Sequence, residues 1–170
     1  MAEKIIIDGY NLIGTYHNDL RAQRTKLIQD LSAYGRRKGF LHDMTLVFDG
    51  IREGFNKTQT AIGGLTVIYS GRGESADEVI KEIIARAGMK YIVVSSDRAI
   101  ASFAWSKDCT PVRSEDFSRK LYPGATAADA VYIENDDEDD YDERAAAKKK
   151  GNPHVLSKKE KMIKQALDKL

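Results

Sequence analysis

Short hydrophobic runs alternate with helical patterns along most of the chain. The runs are Lys4–Ile7, Thr45–Phe48, Leu65–Tyr69 and Tyr91–Val94. They are too short for core helices, and they are apolar enough for strands that are buried on both faces. Because strand and helix patterns alternate, the sequence predicts an α/β fold with parallel strands.

The predicted helices carry clear start and stop signals. Apolar residues recur at helical spacing from Leu20 to Tyr34, and basic residues followed by Gly39 end that pattern. Ser75-Ala76-Asp77-Glu78 is a capping box that begins a second helix, which stops at Gly88. Two more helices are predicted, at Arg98–Ser106 and from Ser114, separated by an edge strand at Thr110–Val112.

Four aspartates follow strands or begin helices in this pattern. Asp8, Asp49 and Asp97 come after hydrophobic runs, and Asp77 opens a helix. In an open α/β sheet, side chains at the carboxyl ends of parallel strands converge on one crevice, where ligands bind. Crowded carboxylates raise one another's pKa unless a cation joins them, and hard divalent ions such as Mg2+ prefer oxygen ligands. The sequence therefore predicts an acidic metal-binding pocket.

Each acid also has a purely structural interpretation. The helix macrodipole favours an acid such as Asp77 in a first turn, and Asp97 can serve as an N-cap. Arg21 and Arg24, at the start of the first predicted helix, would either contact phosphate or form a solvated helix face. Ser95 and Ser96 are expected either to hydrogen-bond near Asp97 or to form a plain turn.

Composition limits the class of protein. The chain has 170 residues, of which 42% are hydrophobic and 31% charged, as in an ordinary soluble protein. A single Cys excludes an internal disulfide and a Cys-based zinc finger. No apolar stretch approaches the ~18 residues that a membrane span needs, and no signal peptide is visible. We therefore expect a cytoplasmic protein with no membrane partner.

Four sequence segments together resemble a known family. They are Ile5-Ile6-Ile7-Asp8-Gly9-Tyr10-Asn11-Leu12-Ile13, Val47-Phe48-Asp49, the segment from Tyr69 to Ile80 containing Glu74-Ser75-Ala76-Asp77, and Val93-Val94-Ser95-Ser96-Asp97. This combination is similar to the bacterial YacP-like NYN-domain proteins of the PIN-like nuclease superfamily. The resemblance spans residues 4 to about 121. It implies a three-layer α/β fold, with a central, mainly parallel sheet flanked by helices.

The same resemblance implies a function and a set of site residues. It implies a Mg2+- or Mn2+-dependent ribonuclease that acts on RNA, with the ribosome as a partner of some relatives. The positions that match the family's metal-binding or catalytic set are Asp8, Asn11, Asp49, Asp77 and Asp97. Glu74 matches an acidic position without a defined role.

Phosphodiester hydrolysis requires an activated water and a neutralised leaving oxygen, which divalent ions supply. We expect Asp8 and Asp97 to be central metal ligands and Asp77 to bind the metal or its water. Asp49 would complete the acidic wall, and Asn11 would orient a ligand without adding charge. Because the pocket is negative, metal ions and flanking Arg or Lys side chains must offset the repulsion of RNA. The candidates for contacting the substrate are Arg21, Arg24, Arg52, Lys57, Arg72, Ser95, Ser96 and Arg98.

Other chemistries fit less well. The glycine-rich segment Ser70–Glu74 lacks the lysine of a P-loop, so it is interpreted as a turn. An aspartyl-phosphate enzyme usually has a second acid two residues after the nucleophile, and Tyr10 occupies that position after Asp8. A non-catalytic RNA- or ribosome-binding module on the same fold remains the alternative to the enzyme.

The last part of the chain separates its charges. Glu134–Glu143 holds eight acids and no base, whereas Arg144–Leu170 carries nine Lys or Arg residues against Glu160 and Asp168. These patterns predict a nuclease domain at 1–125, a flexible charged linker at 126–152 and a basic amphipathic helical tail at 153–170. That helix would bind RNA or the ribosome, dock on the domain, or remain partly unfolded.

Overall fold

A computed structural model describes residues 4–13, 19–39, 43–50, 56–124 and 156–170. Its sheet contains the strands β1 (Lys4–Asp8), β2 (Met44–Phe48), β3 (Thr58–Ile62), β4 (Leu65–Tyr69), β5 (Tyr91–Val94) and β6 (Thr110–Val112). The helices are α1 (Gly9–Ile13), α2 (Leu20–Lys38), α3 (Ala76–Ala87), α4 (Arg98–Ser106), α5 (Ser114–Leu121) and α6 (Lys158–Lys169). The strand order is β3-β4-β2-β1-β5-β6, and every pairing is parallel except that of β3 with β4.

Two hydrophobic cores lie on opposite faces of this sheet. Successive strand residues point to opposite faces, so Ile5 and Ile7 of β1 pack on one side and Ile6 on the other. The first core includes residues of α2, α5 and α6, with side chains of α1 packed against it. The second core lies under α3 and α4. The three-layer α/β architecture expected from the family resemblance is confirmed.

The helix ends follow the sequence signals. Gly39 and Gly88 adopt left-handed backbone angles after α2 and α3. The capping box of α3 is complete, because the Ser75 side chain accepts the Glu78 backbone N–H and Glu78 accepts the Ser75 backbone N–H. This cap fixes the first turn of α3, which carries Asp77.

Two elements differ from the sequence prediction. The short helix α1, which follows Asp8 directly, was not predicted as a separate element, whereas α2 begins at Leu20, where the helical pattern begins. The antiparallel strand β3 was not predicted. All five of its residues are exposed, so it lacks the buried apolar positions that identified the other strands.

Helix α6 packs against the domain. Ala166 and Leu170 are 4% and 1% exposed, and both belong to the first core. The Tyr34 hydroxyl of α2 donates a hydrogen bond to the backbone carbonyl of Leu170. Of the three outcomes considered for this helix, docking is the one observed.

The predicted linker at 126–152 lies outside the described residues. Among the described helices, none is long and apolar enough to cross a membrane.

Candidate active site

Strand geometry directs several polar side chains toward the same end and face of the sheet. Three of these side chains lie two residues after a side chain of the second core. They are Asp8 after Ile6, Asp49 after Val47 and Ser95 after Val93. Since side chains two apart on a strand share a face, these three point toward the layer of α3 and α4. Both helices begin at this end of the sheet, bringing Asp77 and Asp97 to the same region.

Asp8 is the electrostatic centre of this site. Its carboxylate accepts hydrogen bonds from the Asn11 backbone N–H and the Ser95 hydroxyl, both at 3.2 Å. Burial raises the pKa of Asp8, the hydrogen bonds lower it and the nearby charges of Asp97 and Asp77 raise it, so that it reaches about 6. The structure therefore brings three of the predicted acids within electrostatic reach of one another.

Asp77 combines an ion pair with an unsatisfied oxygen. Its Oδ2 lies 2.8 Å from Nζ of Lys81, one turn further along α3. Its Oδ1 is buried and has no hydrogen-bond partner. A buried carboxylate oxygen without a donor is costly, and a cation or an ordered water would satisfy it.

Asp97 is the N-cap of α4. Its Oδ1 accepts the backbone N–H groups of Ala99 and Ile100 at 2.6 and 3.2 Å. The structural role considered from the sequence is therefore present. Asp97 also raises the pKa of Asp8, so Asp97 is both a helix cap and a charge at the site.

Asn11 connects three segments around the site. Its Oδ1 accepts the Ser96 backbone N–H at 2.7 Å and the Ser114 hydroxyl at 2.5 Å. The Ser96 hydroxyl in turn donates to Glu115 at 2.8 Å. This network joins α1, the loop after β5 and the start of α5.

Glu115 and Ser114 were predicted only as the start of a helix, not as residues of the site. An acid in the first turn of a helix is an ordinary feature, so Glu115 alone carried no functional signal. Its position directly after an edge strand of the same sheet was the available indication. Glu115 adds a carboxylate to the hydrogen-bond network of Asn11, Ser96 and Ser114.

Asp49 lies after the neighbouring strand β2. Its Oδ1 is 3.5 Å from the Ser70 hydroxyl, and that hydroxyl accepts the Gly50 backbone N–H at 3.0 Å. These contacts connect the ends of β2 and β4. Asp49 therefore flanks the three central acids at the adjacent strand end.

Gly9 allows the turn after Asp8 to pack closely. A Cβ atom at this position would lie 2.3 Å from the Phe48 ring, which is fully buried. Tyr10 packs edge-on against the same ring, with 5.3 Å between the ring centres. A residue larger than glycine would push the Asp8 turn away from β2.

Arg24 contacts two aromatic side chains near the ends of β1 and β4. Arg24 is 5% exposed, donates to the Tyr10 hydroxyl at 3.2 Å and lies 5.7 Å from the centre of the Tyr69 ring. It belongs to α2, on the sheet face opposite α3 and α4. Arg21 is exposed in the first turn of the same helix.

The other predicted substrate contacts have different surroundings. Arg98 directly follows Asp97 as the first residue of α4, and Arg72 is exposed in the turn after β4. Lys57 pairs with Glu74 at 2.9 Å and with Glu82 at 3.0 Å. Arg52 lies outside the described residues.

The three central aspartates have the chemistry that binds a divalent cation. Asp8, Asp77 and Asp97 offer the oxygen donors that Mg2+ and Mn2+ prefer, and Asp77 holds an oxygen without a partner. Among the described residues, no three acidic, His or Cys side chains are already arranged to hold a metal ion.

Comparison with known proteins identifies the family. The model of the YacP-like NYN domain matches residues 5–164, which is nearly the whole chain. The chain belongs to the YacP-like NYN family. A comparison with curated proteins gives no match.

Two solved structures share the fold of this YacP-like NYN chain. The crystal structure of Rae1 (YacP) from Bacillus subtilis has 24% identity and a TM-score of 0.53, covering 71% of this chain and 74% of that one. A mutant of the same Bacillus subtilis protein, in which one tryptophan is replaced by leucine, has 21% identity and a TM-score of 0.56. That match covers 70% of this chain and 74% of the mutant chain.

Family membership gives the general function. The YacP-like NYN domain belongs to the PIN-like nucleases, which implies a ribonuclease-type activity with RNA as the substrate class. The match extends well beyond residue 121, where the sequence resemblance ended, and reaches into α6.

Proposed function

We propose that this protein is a metal-dependent endoribonuclease that hydrolyses RNA phosphodiester bonds at the Asp8 site. The observation that carries the proposal is the charge on Asp8. A half-buried carboxylate whose pKa rises to about 6, partly because Asp97 and Asp77 lie near it, is poised to gain a cation. The unsatisfied Oδ1 of Asp77 supports the same interpretation.

Asp8, Asp77 and Asp97 would hold Mg2+ or Mn2+. When bound, such an ion supplies an activated water and neutralises charge on the leaving oxygen. Asn11 positions the loop after β5 through its bonds to Ser96 and Ser114. Asp49 extends the acidic wall at the end of β2.

RNA would approach this site over positive and hydroxyl side chains. Arg98 begins α4 beside Asp97, and Arg72 lies in the exposed turn before α3. Ser95 and Ser96 lie between Val94 and Asp97, with Ser95 already bonded to Asp8. Following the family resemblance, the proposed substrates are cytoplasmic RNAs, including mRNA on the ribosome.

One observation favours the second candidate, a non-catalytic RNA- or ribosome-binding module. In the described structure the site acids have other partners, because Asp97 caps α4 and Asp77 pairs with Lys81. A module that only binds RNA would keep these contacts and would never need a metal.

Cleavage assays with matched variants distinguish the two candidates. Pure protein is incubated with mixed RNAs, with and without ribosomes, in Mg2+, Mn2+ or EDTA. Asp97→Asn is the test variant, because asparagine remains a good N-cap for α4 while the charge is lost. Asp116→Asn, which removes a surface acid paired with Arg119, is the control.

The nuclease proposal predicts metal-dependent cleavage by the wild type and the control, and none by Asp97→Asn or in EDTA. Cleavage that survives in EDTA, or equal cleavage by Asp97→Asn, contradicts it. RNA or ribosome binding without cleavage under any of these conditions supports the binding module instead.

A further inference from the structure

Two lysines and an aromatic ring lie close together on α3 and at the end of α4. Nζ of Lys81, which pairs with Asp77, lies 6.0 Å from the centre of the Phe103 ring. Nζ of Lys107 lies 5.8 Å from the centre of the same ring. These three residues, Lys81, Phe103 and Lys107, form what we call the α3–α4 track.

Phe103 holds the middle of the track at a defined distance from the site. It follows Asp97 by six residues on α4, which corresponds to about 9 Å along the helix axis. The ring is partly buried against the second core. Both ammonium groups lie within 6.0 Å of the ring centre, so one partly buried ring is shared by two positive charges.

We propose that the α3–α4 track binds single-stranded RNA next to the scissile bond, with a base stacked on Phe103 and phosphates contacted by Lys81 and Lys107. This inference rests on the proposed function, since it extends the substrate path away from the Asp8 site. Proteins that bind single strands combine positive grooves with aromatic platforms, because every base has a face that can stack. Lysines beside the ring add counterion release.

The track favours an unpaired strand over a duplex. Bases in a duplex already stack on both faces, so none is free to cover Phe103. Lys81 also has a second effect, because its ammonium group offsets the negative charge of Asp77 where a polyanion must enter. The charge pattern therefore changes from acidic at the site to basic along the track.

Variants of Phe103 test the stacking step in the full-length chain. Binding of a fluorescent single-stranded RNA and of a blunt-ended RNA duplex of matched length is measured in EDTA, which prevents cleavage. Phe103→Leu keeps an apolar side chain and removes the ring, whereas Phe103→Tyr restores it. Phe103→Leu should weaken single-strand binding about 5- to 100-fold and leave duplex binding unchanged. Phe103→Tyr should remain within about twofold of the wild type.

Two results overturn the stacking role. One is equal single-strand affinity for wild type and Phe103→Leu. The other is the same loss on single strand and duplex, which would show a general structural effect, and thermal unfolding of each variant identifies such an effect directly.

Lysine variants test the phosphate contact. Lys107→Gln should reduce the slope of log affinity against log salt by about 0.7 for single-stranded RNA. Lys26→Gln is the matched control, since Lys26 is exposed on α2, on the opposite face of the sheet. Equal slopes for Lys107→Gln and wild type, or equal reductions in both variants, contradict the track.

The outcome is independent of the proposed nuclease activity. The binding measurements use no metal, so a protein that does not cleave RNA can still show the track. In Mn2+, Phe103→Leu should raise KM with little change in kcat, because the ring lies away from the reacting atoms. If Phe103→Leu cleaves RNA with normal KM and kcat and binds single-stranded RNA normally, the proposed track is wrong and the nuclease proposal still stands.

Discussion

At the scale of single residues, the buried charge of Asp8 connects the fold to the proposed chemistry. The residue lies at the end of β1, where the sheet and the layer of α3 and α4 remove much of its water. Two hydrogen bonds hold its carboxylate, and two further acids oppose its ionisation. The metal-free site is therefore under electrostatic strain that a cation would relieve.

This strain predicts a pH effect on stability in the absence of metal. The pKa of Asp8 is about 6 in the folded state against 3.8 for the free side chain, so the folded state binds the proton more tightly. Stability should therefore fall as the pH rises from about 4 to 6, by about 3 kcal/mol from this residue at full effect.

Chemical unfolding in EDTA across this pH range checks the effect. Asp8→Asn should lose this part of the pH dependence. At pH 7 it should be more stable than the wild type, and the gain is reduced by the free energy of the hydrogen bonds that the substitution weakens. Asp116→Asn provides the baseline for a surface acid. The same pH slope in wild type and Asp8→Asn would show that the Asp8 charge is not strained.

The sequence predicted the central acids but not all of their surroundings. Asp8, Asp77 and Asp97 were predicted together because strand ends and helix starts converge in an α/β fold. The burial of Arg24 was not predicted, because helical spacing alone does not show which side of the helix faces the rings of Tyr10 and Tyr69. Glu115 was missed because its partner Ser96 is distant in sequence.

At the scale of elements, α6 is part of the folded unit. Its apolar side chains complete the first core, and the Tyr34 hydroxyl bonds to the end of the helix. Deleting this segment would expose core side chains of α2 and α5. An RNA-binding role for the tail therefore has to be tested without removing the helix.

Substitution at Leu170 measures the contribution of α6 to stability. Leu170 is 1% exposed, so Leu170→Ala should lower the free energy of unfolding by about 2–5 kcal/mol. Leu156→Ala is the matched control, because Leu156 is 44% exposed just before the helix and should change stability by less than about 0.5 kcal/mol. Denaturant unfolding curves give both values, and equal stabilities for the two variants would show that α6 does not pack as described.

Strand β3 shows where pattern analysis fails at this scale. Thr58–Ile62 is exposed throughout, so no hydrophobic alternation marks it. The Gly63-Gly64 turn that joins it to β4 is a hairpin signal, and both glycines have positive φ. Strands β4 and β5 were predicted with their observed bounds because burial on both faces leaves a continuous apolar run.

At the scale of the whole molecule, charge is divided between the acidic site and basic helices. The net charge of +1 hides this separation. The exposed face of α6 carries Lys158, Lys161 and Lys164, while its apolar face is turned to the core. Long-range attraction of RNA should therefore depend on α6 as well as on residues at the site.

Neutralising this face keeps the fold and tests the attraction. Changing Lys158, Lys161 and Lys164 together to Gln should reduce the salt slope of single-stranded RNA binding by up to about 2, if all three contact phosphate. Unfolding stability should change little, because these side chains are exposed. Binding curves at several salt concentrations decide the point, and an unchanged slope would show that α6 does not contact RNA.

Metal binding at Asp8 is the central claim, and a calorimetric titration of Mn2+ tests it most directly. The wild type and Asp116→Asn should bind Mn2+ alike, whereas Asp8→Asn should bind at least about tenfold more weakly, because loss of a direct ligand costs at least as much as loss of an outer-shell partner. Circular dichroism confirms that each variant is folded. Wild-type Mn2+ affinity in a folded Asp8→Asn protein would contradict the account.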